Sequence, residues 1–192
     1  MKNGNLLVGI PVDIAQAKEH QGVVKELWSE HRHIRWLPLE FEHCTLAWVD
    51  VSKSSRPRRA IVRAVIGAVE RSARGCPQFE TVLHKFEWFG YNKDVLVITE
   101  PSRQISRKLV KLTSAVRNRI KDRNFRILQA GSFRPHISLG RSSPDIDVYS
   151  RIYTPEPACR APFRLVVDRL VIYECLADCR LRILYTVTLP LG

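Results

Sequence analysis

The segment Phe41-Glu42-His43-Cys44-Thr45-Leu46 has a counterpart, Arg134-Pro135-His136-Ile137-Ser138-Leu139, 93 residues further along a chain of 192. Each half of the chain therefore holds one His-x-Thr/Ser-Leu pattern, and each half also holds a long helical pattern. Ile61, Val62, Val65, Ile66 and Val69 fit the spacing of an amphipathic helix over 58–74. Ile105, Leu109, Leu112, Val116 and Ile120 do the same in the second half. The arrangement suggests an internal duplication, so the fold should be sought as two related halves rather than one continuous winding.

The remaining elements support that division. Leu6–Ile10 reads as a buried strand ended by Pro11, residues 13–33 as a helix, and Trp36–Val49, apolar and alternating in its second half, as a strand. Phe79–Trp88 and Val95–Thr99 read as strands around a Gly90-Tyr91-Asn92 turn, and Phe133–Leu139 as another strand. Phe163–Tyr173 and Leu181–Leu189 should form an antiparallel hairpin about Asp178, after a Ser/Pro-punctuated connection at 142–160. The order of strands and helices predicts an α+β chain, because a doubly wound parallel sheet would alternate more strictly.

Composition excludes several classes. With 45% hydrophobic residues spread along the chain, a disordered main state is ruled out. No stretch approaches the roughly 20 apolar residues that cross a bilayer, so no membrane partner is expected. The apolar run at Leu6–Ile10 is too short for a signal-peptide core. Five cysteines is an odd count in a chain large enough to fold without disulfides, which predicts reduced thiols and a cytoplasmic setting. Cys175 and Cys179 have no second Cys/His pair at zinc-like spacing, so no metal is expected.

The net charge is +12, and it is concentrated. Nine basic residues and one acid, Asp122, lie between Arg103 and Arg126; seven basic residues and one acid, Glu70, lie between Lys53 and Arg74. Two such stretches favour an anionic partner, with RNA or a nucleotide in view.

The two motifs carry the chemistry. Side chains alternate along a strand, so His43 and Thr45 share one face while Cys44 and Leu46 enter the core. His136 and Ser138 likewise share a face, with Ile137 and Leu139 buried behind. Two imidazoles in one cleft suit phosphodiester chemistry without a metal, since one ring accepts a proton while the other donates one. The hydroxyls of Thr45 and Ser138 can donate to non-bridging phosphate oxygens, and Arg134 can add a bidentate contact. Trp36, Phe41, Trp48, Trp88 and Phe89 include candidates for stacking on a base, with core packing the default for most. Phe41 stands out because it shares the face of His43. His31, His33 and His84 read as structural or solvated, and Cys44 as a core residue. No Walker A or dinucleotide glycine fingerprint is present, so no nucleotide cofactor is expected.

These paired motifs resemble the 2H phosphoesterase superfamily, in particular its RNA 2′,3′-cyclic phosphodiesterases, historically called 2′-5′ RNA ligases. The similarity runs through Leu6–Pro11, Trp36–Leu46, Phe133–Arg141 and Val167–Tyr173. It implies one bilobal domain over 1–192: two pseudo-symmetric lobes of antiparallel sheet with outer helices around a central cleft, needing neither metal nor cofactor. By that likeness His43 is the proton donor to the leaving ribose oxygen and His136 the proton acceptor that activates water, with a 2′-phosphomonoester as product. Ser138 replaces the commoner Thr of the second motif and keeps the hydroxyl. The expected partner is an RNA or nucleotide bearing a 2′,3′-cyclic phosphate, handled by a monomer. The rival reading is a non-catalytic RNA-binding module with a phosphate cleft; a further one is 2′-5′ ligation or hydrolysis by the same residues.

Overall fold

The computed structural model describes residues 4–27, 34–52, 54–89, 95–99, 106–128, 133–142, 162–177 and 180–192. The expectations for His31, His33, the Gly90-Tyr91-Asn92 turn, Ile105, residues 143–160 and the turn at Asp178 and Cys179 lie outside them. So do those for the side chains of Val23, Val24, Leu27 and Phe41.

The elements, in chain order, are β1 (Leu6–Pro11), α1 (Ile14–Leu27), β2 (Ile34–Trp36), a 3₁₀ turn (Leu39–Phe41), β3 (His43–Asp50), α2 (Arg58–Ala73), β4 (Phe79–Leu83), β5 (Lys85–Phe89), β6 (Val95–Thr99), α3 (Arg107–Lys121), β7 (Arg126–Ile127), β8 (His136–Ser142), β9 (Phe163–Val167), β10 (Arg169–Cys175) and β11 (Leu181–Thr188). The main sheet runs β11-β10-β1-β3-β8-β6-β5, with β2 beside β8 and β7 beside β3, while β4 and β9 form a separate pair. Every one of these pairings is antiparallel, so the chain has the α+β fold that its element order predicts.

Helix boundaries follow local chemistry. The Asp13 carboxylate accepts from the Ala15 and Gln16 amides at 2.8 and 3.1 Å and caps α1. Ser106 does the same for α3 through the Leu109 amide at 3.3 Å. Beyond α3 the chain turns at Asn124, whose φ of 62° is a left-handed conformation that asparagine tolerates better than most residues. Both long helices bury one stripe, Ile61, Val65, Ala68 and Val69 on α2 and Leu109, Leu112, Val116 and Ile120 on α3. Those stripes share a core with Leu6, Val8, Ile10, Cys44, Leu46, Ile137 and Leu139. Fully burying each Val, Leu or Ile among them stabilises by about 1.5–3 kcal/mol. Among the described residues no helix is long and apolar enough to cross a membrane.

Three expected strands are divided. Trp36–Val49 keeps Trp36 at the end of β2 and His43–Val49 in β3, and between them Pro38, which has no N–H for a ladder, leads into the 3₁₀ turn. Phe79–Trp88 becomes β4 and β5, which belong to different sheets and separate at His84. The inward residues Phe79 and Leu83 are followed by Phe86, an odd step that breaks the two-residue period. Phe163–Tyr173 likewise becomes β9 and β10 at Asp168, where Val167 gives way to Leu170 as the inward residue. The β10–β11 hairpin forms as expected. The second motif strand begins at His136 rather than Phe133, and the short strands β2 and β7 carry no pattern long enough to read.

The sheet has a pseudo-two-fold relation about the β3–β8 junction. On one side β3 is followed by β1 and β10, and on the other β8 is followed by β6 and β5. Past their meeting point, β3 takes β7 as its second neighbour and β8 takes β2.

Candidate active site

The motif strands meet at a single bridge, Cys44 opposite Ile137. Both residues are fully buried, so the motif histidines and hydroxyls belong to the other face. Antiparallel register about that bridge sets His43 toward Ser138 and Thr45 toward His136, each imidazole beside the hydroxyl of the opposite motif. Diagonal neighbours in such a pair lie about 7–8 Å apart, which brings His43 and His136 to the two sides of one small site.

Each motif strand carries a bulge at the same point. Between β1 and β3 the pairing passes from Val8–Ala47 to Gly9–Thr45 and leaves Leu46 as the extra residue. Between β6 and β8 it passes from Leu96–Gly140 to Val97–Ser138 and leaves Leu139. The final leucine of each motif is thus the inserted residue. A bulge lets a strand present its first three residues in one phase and the remainder in the other. Leu46 and Ala47 accordingly are both at 0% exposure. The carbonyls of the two extra residues find partners outside these two ladders: Leu46 O accepts from Arg117 Nε at 2.8 Å, and Leu139 O from the Leu37 amide at 2.9 Å.

The environments of the two rings differ. His136 Nδ1 lies 2.9 Å from the Arg134 carbonyl oxygen. A carbonyl only accepts, so Nδ1 carries the proton and Nε2 keeps its lone pair. Burial pushes the His136 pKa below its usual value, opposed by that hydrogen bond and aided by the nearby Arg134 charge. The Phe89 ring lies against His136, with centroids 4.8 Å apart. His43 instead faces Tyr173 at 5.5 Å. Burial raises the Tyr173 pKa to about 12, so its phenol remains protonated. Tyr173 stands opposite Leu7, and Phe89 opposite Val95, so the two aromatic neighbours occupy equivalent places in the two halves. Beneath His43 lies Gly9, where a Cβ would come 3.1 Å from the imidazole Cδ2.

Arg134 is also held on this side of the junction. It pairs with the Glu87 carboxylate, and its guanidinium sits 5.0 Å from the Phe89 centroid. Thr45 is buried and Ser138 half-buried. Trp48 packs with Leu7 and Tyr173, whereas Trp36 and Trp88 pack against the main core. Sequence reasoning weighed Phe89 and missed Tyr173, Gly9, Glu87 and Arg117. Tyr173 had one legible sign: Leu170 and Ile172 face the core, which sends Val171 and Tyr173 to the other face.

The sequence profile of the 2′-5′ RNA ligase superfamily matches residues 16–178. The chain belongs to that superfamily. Membership places it among phosphoesterase- or 2′-5′ ligase-type enzymes. No curated protein sequence matches it significantly. Among solved structures, Escherichia coli LigT in apo form is 19% identical with a TM-score of 0.70, and 99% of each chain is covered. TT0787 of Thermus thermophilus is 16% identical with a TM-score of 0.73, covering 98% of this chain and 99% of its own. Kluyveromyces marxianus Usb1 is 14% identical with a TM-score of 0.56, covering 97% and 99%. At these identities the likeness is one of fold. LigT has also been crystallised with 3′-AMP.

Proposed function

We propose that this chain is a metal-independent RNA 2′,3′-cyclic phosphodiesterase that yields a 2′-phosphomonoester. The observation that carries the reading is the Cys44–Ile137 bridge, which brings two His-x-Thr/Ser pairs onto one face in antiparallel register. In the proposed reaction a water oxygen attacks phosphorus and its proton passes to His136 Nε2. The bond from phosphorus to the 3′ oxygen breaks, and that oxygen takes a proton from His43. Thr45 and Ser138 donate to the non-bridging oxygens as charge develops there. Arg134, steadied by Glu87, adds a phosphate contact, and Phe41 is a candidate for base stacking. The lone pair on His136 Nε2 and the lowered pKa of that ring favour it as the acceptor.

The test is incubation with a short RNA ending in a 2′,3′-cyclic phosphate in EDTA, with the product read by NMR. A 2′-phosphate is expected, with losses of about 10²–10⁴-fold for His43→Ala and for His136→Ala. Near wild-type turnover in both variants would refute the assignment. The superfamily match also favours a second reading, 2′-5′ ligation or its reversal, which the same residues serve by microscopic reversibility. Turnover of a 2′-5′ linked dinucleotide with cyclic ends untouched would select it. RNA bound without turnover of either substrate would leave a binding module.

A further inference from the structure

The two basic runs are separated in sequence, and folding brings α2 and α3, which carry most of their described residues, together on the far side of the sheet. The buried stripes of α2 and α3 pack on the same core as Cys44, Leu46, Ile137 and Leu139. Their outer faces therefore point away from His43 and His136. The two helices lie antiparallel. At one end Arg56 sits 5.7 Å from the Phe125 ring beyond α3. At the other end Gly75 and Cys76, past α2, line a cavity of about 250 Å³ together with Lys108, Lys111 and Ala115 of α3.

Along α3, Lys108, Lys111 and Arg119 are exposed. At 1.5 Å per residue they span about 16 Å. Exposed Arg59 and Arg63 stand on the neighbouring α2. Among the described residues no carboxylate pairs with Lys108, Lys111 or Arg119, whereas Arg58, Arg134, Arg164 and Arg182 are all in ion pairs. Glu70, the one acid on α2, accepts from the Tyr185 hydroxyl at 3.1 Å. A row of cations without carboxylate partners along an interhelical groove complements a linear polyanion. The large exposed apolar residues, among them Ile14, Val82 and Ile183, lie on neither helix. A membrane-seeking surface would need such residues beside its lysines.

We propose that the α2–α3 face is a second, non-catalytic binding surface for the body of single-stranded RNA, distinct from the cleft that takes its end. The choice of RNA as occupant rests on the phosphodiesterase reading above. RNA held there raises the local concentration of ends without entering the chemistry.

The probe is a fluorescein-labelled single-stranded RNA of about 20 nucleotides with an ordinary 3′-hydroxyl, followed by anisotropy across salt. The triple variant Lys108→Gln, Lys111→Gln, Arg119→Gln is compared with Arg164→Gln, Arg169→Gln, Arg182→Gln, which removes the same charge elsewhere. The first triple should lower the slope of log K against log salt by about 2, at about 0.7 per single-strand phosphate contact, and the second should leave it near wild type. Both should hydrolyse a 2′,3′-cyclic mononucleotide as the wild type does. Equal slopes in the two triples, or RNA binding retained while binding to anionic phospholipid vesicles is lost, would overturn the proposal. A wild type without turnover would sink the cleft reading but leave the anisotropy result standing.

Discussion

Gly9 offers a direct test of whether His43 must sit where β1 allows it. The residue lies opposite Thr45 on one side and Val171 on the other, with its missing side chain directed under the imidazole. A Cβ built there falls 3.1 Å from His43 Cδ2, 3.2 Å from the Cys44 carbonyl oxygen and 3.3 Å from Leu7 Cδ2. The carbonyl is fixed by the ladder, so the ring has to give way. Reaching ordinary contact at 3.4 Å requires a displacement of about 0.3 Å. If a misplacement of 1 Å costs about 10²-fold, a linear scaling of the logarithm gives about a fourfold loss in kcat for Gly9→Ala. Gly9→Val adds two further methyl groups at the same spot and should lose tenfold or more.

Stability should hardly follow. Replacing glycine by alanine lowers the entropy of the unfolded chain, an effect of about 0.4–1 kcal/mol that opposes the new contacts. The melting temperature should stay within about 4 °C. Steady-state hydrolysis of a 2′,3′-cyclic nucleotide and a thermal melt separate the two effects, and the His43 ring signals in NMR report the displacement itself. Wild-type kcat in both variants would refute the reasoning, as would losses that merely track the folded fraction.

Burial holds the His136 pKa below the usual 6.5, so the neutral acceptor form persists into more acid solution. The acid limb of kcat/KM should therefore fall below about pH 6.5; a limb at or above that value contradicts the assignment. The same shift acts on stability: the unfolded chain takes up a proton near 6.5 while the native ring resists. The contribution is present above that pH and is lost as pH falls toward the native pKa, so His136→Gln should flatten the slope of stability against pH there. Arg117→Met keeps the stem of the side chain but removes the Nε–H that the Leu46 carbonyl accepts. Urea unfolding should show a loss of about 1–3 kcal/mol, and an unchanged midpoint would remove any structural role for that contact. At Gly140 a Cβ would fall 2.7 Å from Ile34 Cγ2 and 3.2 Å from the Arg35 carbonyl oxygen. Gly140→Ala should cost about 1–3 kcal/mol, partly recovered by adding Ile34→Ala, and a fully stable single variant would contradict the packing.

Much of this was legible from periodicity. The spacing of Leu109, Leu112, Val116 and Ile120 fixes α3 and its buried stripe, and two-residue alternation puts Cys44, Leu46, Ile137 and Leu139 in the core. What alternation cannot give is partnership. The turn after Phe79–Trp88 points its second half to β6, but nothing in the segment says that its first half leaves for β9, a partner about 80 residues further along the chain. The bulges were hidden for a related reason. An extra residue on one strand is defined only against its neighbour, so Leu46 and Leu139 read simply as the next inward positions. Charge was legible as composition but not as place: the runs at 53–74 and 103–126 favour an anionic partner, and most of their described residues lie on α2 and α3, behind the sheet from the motif histidines.

The symmetry of the junction sharpens what must be asymmetric about the chemistry. Two motif strands with bulges at equivalent leucines, and aromatic neighbours at equivalent register, place the imidazoles in nearly interchangeable positions. In the proposed reaction one ring accepts a proton and the other donates one, so surroundings that set the two apart would assign the roles. The difference arises outside the repeated geometry. His136 is tied through Nδ1 to a carbonyl, desolvated, and close to a guanidinium that disfavours its cation. His43 faces a phenol that stays neutral, with the Gly9 backbone packed close beneath it. If these surroundings assign the roles, exchanging them should exchange the behaviour. Arg134→Met should raise the pKa of His136 and move the acid limb of kcat/KM upward, whereas Tyr173→Phe should leave that limb in place.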